Sequence, residues 1–256
     1  MDQDRERERR NYAICRAGFV FLAAALVVAC FTTLIVLPSH FGGRAFMPRL
    51  VHTWAWHWSD VPVVWGSLIG AYLLWGRWNH PGWQRRTGLF LVMCMVDAIL
   101  WCLDHGDELG LRLGDFGHLW LRVHLGQALG WAEFALIAGI ASDVMVHLGV
   151  EQAAETSRAT RSLASTGAVV WMLLFLQQTD WRKWPLDFRR ILTPETLLLN
   201  IGWNMIWTIA LIQAAALSIA AARQCSLLLN QMRREDEHDD QFKSLSEADL
   251  ALLDRQ

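Results

Sequence analysis

The stretch AGFVFLAAALVVACFTTLIVL, residues 17–37, carries no charge over its whole length and decides the fold class. A membrane-spanning helix needs about 20 mostly apolar residues, because the hydrocarbon core is ~30 Å thick and each residue rises 1.5 Å. The run is long enough. A basic segment, residues 1–16, precedes it, and VVAC at 27–30 loosely resembles a lipoprotein signal. Because cleaved signals have shorter apolar cores of about 7–15 residues, we expect a retained helix.

The apolar character extends over the whole chain. Of 256 residues, 54% are hydrophobic and 15 are tryptophan, and the mean hydropathy is +0.22. Soluble domains average about 45–50% apolar residues. The net charge of -2 and the absence of a basic patch argue against a nucleic-acid partner. The five cysteines form no CxxC pair, so a disulfide framework or a zinc ribbon is not expected.

Five further segments approach the length of a span. The sequence therefore predicts an all-α, polytopic membrane helical bundle with six transmembrane helices and no second domain. The predicted spans are 17–37, 61–78, 87–104, 118–141, 163–180 and 196–222.

Arginine and lysine orient these spans. They concentrate in 1–16, in the connection after the second span, around 158–161 and in 223–256. Since cytoplasmic loops carry the excess of basic residues, we predict cytoplasmic N- and C-termini in the plasma (inner) membrane. The tail 223–256 is expected to be a mostly flexible acidic segment, with a short capped helix at 246–253.

Polar residues lie inside the fourth predicted span, where water is scarce. At 100° per residue most of them share one stripe of the helix. The members of that stripe are His118, Arg122, Glu133, Asp143 and His147. Gly126 and Gly130 border it as a GxxxG pair, a pattern that lets two helices approach closely.

The third predicted span repeats the pattern with Asp97. The two spans should form an antiparallel hairpin, and their depths suggest that Asp97 meets Arg122. A lone charge at mid-membrane costs about 2.5–3.5 kcal/mol, and pairing offsets much of it. Glu133 is eleven residues from Arg122, ~16 Å along the axis, so the same arginine cannot reach it. Glu133 must therefore be protonated, hydrated or bonded to another helix.

Polar residues of the sixth span, Asn200 and Asn204, are expected at about the level of Arg122. The sequence thus predicts a ligand-binding pocket in the external half of the bundle. Its predicted residues are Asp97, His118, Arg122, Glu133, Asn200 and Asn204. The tryptophan-rich segment 52–58 is interpreted as an interfacial anchor, with a lid over the pocket as the alternative.

Two cofactor hypotheses compete with this interpretation. The loop between the third and fourth spans offers ligands for a divalent metal, although a solvated hairpin tip has the same composition. The candidate ligands are Asp104, His105, Asp107, Glu108 and His118. Histidines on neighbouring helices could hold a b-type haem. The sequence contains no HExxH, GxSxG, P-loop or GxGxxG motif, which favours a non-enzymatic protein and leaves an enzyme as the alternative.

The leading hypothesis is therefore a membrane protein that binds or passes a small polar or ionic ligand. The first alternative is a structural or assembly subunit of a larger membrane complex, in contact with other membrane subunits. The second is a haem- or metal-binding membrane redox protein.

Overall fold

A computed structural model describes residues 2–42, 58–78, 81–105, 119–147, 150–178 and 197–253. Within these ranges the protein is entirely helical, with six helices and no strand. They are α1 (Asp2–Gly42), α2 (Asp60–Leu74), α3 (Pro81–Asp104), α4 (Leu119–His147), α5 (Glu151–Gln178) and α6 (Leu197–Leu253).

Four of the described helices are long and apolar enough to cross a membrane, which points to a membrane protein. The segments concerned are Asp4–Leu37, Gly82–Leu103, Leu125–His147 and Gly202–His238. The predicted spans in α2 and α5 are not among them. Helix α2 is apolar but has only 15 residues. The predicted span 163–180 falls in the second half of α5, where several side chains and residues 179–180 lie outside the described residues.

Helix α2 ends earlier than predicted, and its end is a local turn. Trp75 is extended (φ -62°, ψ 128°), and its amide still bonds to the carbonyls of Ala71 and Tyr72. Gly76 follows with φ +67°, a left-handed conformation that glycine adopts without steric cost. The predicted span 61–78 therefore stops at Leu74.

The helices pack in a closed order around a shared core. Helix α1 lies against α2 and α6, α3 lies between α2 and α4, and α4 packs on α5 and α6. The largest fully buried side chains come from α1, α3 and α4, and they include Phe19, Trp83, Phe90 and Trp131. Tight packing of this kind fixes the register between neighbouring helices.

A GxxxG motif joins α1 to α2, and it is not the pair that the sequence analysis selected. A Cβ atom on Gly70 would lie 2.9 Å from the Gly18 carbonyl oxygen and 2.7 Å from Leu22 Cγ. Gly66, one turn earlier, faces Ala25 in the same way. The absence of side chains on α2 therefore lets the two backbones touch, as small residues do in membrane helix pairs.

The predicted pair Gly126 and Gly130 works differently. A Cβ atom on Gly130 would lie 2.7 Å from the Trp207 ring of α6, whereas Gly126 has no described atom within 4 Å. Gly130 therefore makes room for an indole ring, and among the described residues the pair brings no two helix backbones together.

The outer surface of the bundle is apolar. Helix α3 exposes a continuous stripe of large hydrophobic side chains, which are Leu89, Val92, Met95, Ile99 and Leu103. Soluble monomers rarely expose contiguous apolar patches of this kind. Acyl chains are the environment in which such a surface is stable.

The C-terminal tail differs from the flexible segment that the sequence predicted. Helix α6 continues from the last predicted span to Leu253 without a break, so 246–253 is not a separate short helix. The sequence from 203 onward contains neither glycine nor proline, the two residues that most disfavour a helix.

Part of this extension packs along the N-terminal turns of α1. The Arg5 guanidinium lies 3.3 Å from the Glu235 carboxylate, and Arg9 lies 3.3 Å from Asp236. The acidic block is therefore paired with the basic N-terminus along these turns.

Candidate functional site

The site is built on the antiparallel pair of α3 and α4. Near one end of the pair, Arg86 of α3 forms an ion pair with Asp143 of α4. Two turns further along α3, the Cys94 side chain lies close to the Glu133 carboxyl. Between them, these two contacts fix the register of the helices.

An acidic pair lies at this second contact. Asp97 is one turn beyond Cys94 on α3 and within electrostatic range of Glu133. The carboxyl end of Glu133 is buried, and its Oε1 atom has no hydrogen-bond partner among the described side chains and backbone. A buried carboxyl oxygen without a partner is rare in proteins and marks a position where a ligand or a proton can bind.

The expected partner of Asp97 was Arg122, and the structure places Asp97 elsewhere along α4. Asp97 is level with Glu133, which lies eleven residues after Arg122 in the same helix, ~16 Å along the axis. The prediction assumed that the C-terminal end of α3 and the N-terminal end of α4 lie at the same height along the helix pair. The Arg86–Asp143 contact sets a different register, in which the first turns of α4 extend past the end of α3.

Aromatic side chains surround the C-terminal turns of α3, beyond the acidic pair. The Trp101 ring stacks on His105 at 4.4 Å and contacts Trp58 at 6.0 Å and Trp65 at 6.5 Å between centroids. Asp60, the first residue of α2, is within electrostatic range of Asp97. The last turn of α3 therefore carries an aromatic cluster, one turn beyond Asp97. Of the predicted anchor or lid 52–58, only Trp58 lies among the described residues.

The other predicted pocket residues are only partly described. Asn204 lies on the part of α6 that packs on α4, where Trp207 contacts Trp131 at 5.0 Å between centroids. Its backbone carbonyl accepts a hydrogen bond of 2.7 Å from the Thr208 hydroxyl. His118 and the side chains of Arg122 and Asn200 lie outside the described residues.

The proposed metal loop is described only at its first residue after α3. His105 Nδ1 lies 3.1 Å from the Trp101 carbonyl oxygen, so this ring is engaged with its own helix. Asp107, Glu108, His118 and the side chain of Asp104 lie outside the described residues. In the part of the chain that is described, no three His, Cys, Asp or Glu side chains come together as metal ligands.

A basic cluster at the opposite end of α3 and α4 was not predicted as a unit. Arg86 bonds to Asp143 and to the Gly139 carbonyl oxygen, and the Arg161 stem of α5 passes over the same glycine. The predicted polar stripe includes Asp143, whereas the charge pattern predicts both arginines at cytoplasmic ends of spans. The one feature of the sequence that could have indicated this cluster is the position of Arg86 next to the start of the predicted span 87–104.

Aromatic and polar contacts fasten α1 to this same end. The Tyr12 hydroxyl lies 3.3 Å from His147 Nε2, and Trp78 packs on both rings. Trp83 donates its indole N–H to the Leu74 carbonyl. Side chains from α1, the α2–α3 connection, α3 and α4 therefore hold this end of the bundle together. The acidic pair, in contrast, consists of one residue of α3 and one of α4.

Comparisons with protein-family models, with curated proteins and with solved structures give no significant match to this chain.

Proposed function

We propose that this chain is a multi-pass protein of the cell membrane that binds or passes a small cation, the proton included, at the Asp97–Glu133 pair. One observation carries the proposal. The Glu133 carboxyl is buried beside a second carboxyl, and its Oε1 has no partner among the described groups.

The energetics of the pair favour a positively charged ligand. One charged side chain in the membrane interior costs about 2.5–3.5 kcal/mol, and a second like charge nearby adds repulsion. The described groups that act on the Glu133 carboxyl are a carboxyl and a thiol, and neither carries a positive charge. A bound cation or a proton offsets both costs. Intramembrane carboxyl groups commonly mark ion and proton pathways for this reason.

The position of the pair fits the proposed role. Asp97 lies seven residues from the end of α3, ~10 Å along the axis. Asp60, the exposed first residue of α2, is within electrostatic range of Asp97, and Trp101 of the aromatic cluster lies one turn beyond Asp97 on α3. A cation that enters from this end meets Asp60 first and then the buried pair. The wider pocket with His118, Arg122, Asn200 and Asn204 remains part of the proposal.

The proposal is tested in proteoliposomes that contain the purified full-length chain. Proton flux is followed with an enclosed pH-sensitive dye, and Na⁺ and K⁺ gradients are imposed in separate experiments. Glu133→Gln keeps the size of the side chain and removes its charge, so we expect a loss of flux of at least tenfold. Asp97→Asn should reduce flux in the same direction.

Glu155→Gln is the matched control, because Glu155 is an exposed carboxylate on α5. It should leave flux unchanged. The proposal fails if Glu133→Gln inserts and folds like the parent chain and conducts as well. It fails equally if the parent chain neither binds nor passes any of the three cations.

Six spans with both termini in the cytoplasm belong to the same proposal. The contact of Arg5 with Glu235 supports termini on one side, because α1 and α6 then run in opposite directions. Exposed arginines gather at that end, which supports a cytoplasmic orientation. Helix α2 would need its tryptophan-bearing flanks to cross the membrane.

A structural or assembly subunit is the second candidate. It is favoured by a shallow, mainly apolar groove of about 460 Å³ on α6, lined by Ala216, Ile219, Ala220, Arg223, Gln224 and Leu227. Small residues on a membrane helix permit close packing of another helix. Purification in mild detergent separates the candidates: constant stoichiometric partners support the subunit role, and a lone species with cation flux contradicts it.

A further inference from the structure

We propose that the basic cluster of Arg86 and Arg161 binds the phosphate headgroup of an anionic phospholipid. This site lies at the opposite end of α3 and α4 from the acidic pair, and it does not depend on cation binding there.

The two arginines converge on one point of α4. A Cβ atom on Gly139 would lie 3.6 Å from Arg86 Cδ and 3.8 Å from Arg161 Cδ. Arg86 also donates to the Gly139 carbonyl oxygen at 3.5 Å and to the Asp143 carboxylate. Because glycine has no side chain, stems from α3 and α5 cross the same surface of α4. The Cδ atoms of both arginines therefore lie near the same point of α4.

The cluster keeps a net positive charge. Asp143 neutralises Arg86, whereas Arg161 forms no ion pair with a described residue. Arg158, one turn before Arg161, is exposed, and the acidic Glu155 is exposed one turn further back. The converging groups therefore carry two positive charges and one negative charge. An anion of single charge completes the balance.

The cluster lies beside an exposed apolar surface, and this position favours a lipid as the source of the anion. Arg86 is five residues into α3, and the exposed apolar stripe begins at Leu89, one turn further along. A phosphate on the arginines would therefore leave its acyl chains at the level along the helix where this apolar stripe begins. Guanidinium groups bind phosphate oxygens in a bidentate manner. Basic pockets between membrane helices are known to bind anionic headgroups.

The test titrates the full-length chain in mild detergent with short-chain phosphatidylglycerol and, separately, phosphatidylcholine. Binding is read by native mass spectrometry and by the shift in the thermal unfolding midpoint. Phosphatidylglycerol should bind more tightly than phosphatidylcholine. Arg161→Gln should weaken phosphatidylglycerol binding about fivefold, the scale expected for one arginine near an anionic lipid.

Arg161 is exposed, so its replacement should leave folding intact. Arg234→Gln removes the same charge from the exposed C-terminal part of α6 and should leave binding unchanged. Unaltered affinity in Arg161→Gln overturns the proposal, and so does equal affinity for both lipids. Inorganic phosphate forms a third arm. If it stabilises the protein as much as phosphatidylglycerol does, the site takes free phosphate and the lipid assignment is wrong.

Discussion

At the residue scale, the chain uses glycine to make room for large rings. A Cβ atom on Gly167 of α5 would overlap the Trp131 ring of α4, and Gly130 makes room for Trp207 in the same way. Trp131 is fully buried and contacts Trp203 and Trp207. These contacts connect α4, α5 and α6 through a single indole.

Replacing Gly167 tests this packing. Gly167→Ala should destabilise the protein by about 1–3 kcal/mol, because the added methyl group displaces a ring that has no free space. The gain in helix propensity, about 1 kcal/mol, offsets part of that cost. Unfolding in detergent, followed by tryptophan fluorescence, measures the difference. Gly202→Ala is the control, since no described atom lies within 4 Å of its Cβ position. Equal stability of the two variants would contradict the packing argument.

Asp97 and Glu133 were also singled out at the residue scale, but Asp97 was expected to pair with Arg122 and not with Glu133. Asp97 and Glu133 could be selected from sequence because charged residues inside apolar spans are costly. Their proximity could not. The proximity of the two carboxyl groups follows from the register of α3 on α4. The Arg86–Asp143 ion pair sets that register, near the opposite end of the two helices.

At the element scale, α6 is the main departure from expectation. A change in composition at residue 223 suggested the end of a helix, but the backbone continues to Leu253. The change in composition at residue 223 indicates where the apolar part of the helix ends. It does not indicate where the backbone hydrogen bonding of the helix ends. The extension is helical because its residues favour helix and because α1 offers complementary charges.

The charge contacts of this extension make a limited contribution to stability. Asp236→Arg removes contacts with Arg5 and Arg9 and adds repulsion. Amide exchange in residues 4–10 and 230–238 should therefore quicken several-fold, while global stability changes by less than about 1 kcal/mol. The effect should shrink in high salt. Glu237→Arg, which loses only its contact with Arg233 on the same helix, should show a smaller change. Identical exchange in both variants would argue that the two extensions do not pair.

At the scale of the whole molecule, the order of packing brings the first and last helices together. Helix α1 contacts both α2 and α6, and α4 contacts α3, α5 and α6. The chain thus closes on itself, and Glu235 lies beside Arg5 although 230 positions separate them in sequence.

This closure is tested by cross-linking. In a chain whose native cysteines have been replaced, Arg5→Cys and Glu235→Cys are introduced with a protease site between residues 42 and 58. A short bis-maleimide should hold the two fragments together on a denaturing gel after cleavage. The pair Arg7→Cys and Glu235→Cys is the control, because residue 7 lies on a different face of α1. Fragments that separate in both cases would place the termini apart.

The sequence by itself determined that the described chain is helical, that several helices are long enough to cross a membrane, and that Asp97 and Glu133 lie inside them. These properties depend on local composition, since apolar length and helix propensity are summed along the chain. The tertiary structure alone decided the register of α3 on α4, the choice of Gly66 and Gly70 as the close-packing pair, and the docking of the tail on α1. Each of these depends on which side chains meet across helices. The order of residues along one helix shows a GxxxG motif or a charged block, but it does not show which neighbouring helix that motif or block meets.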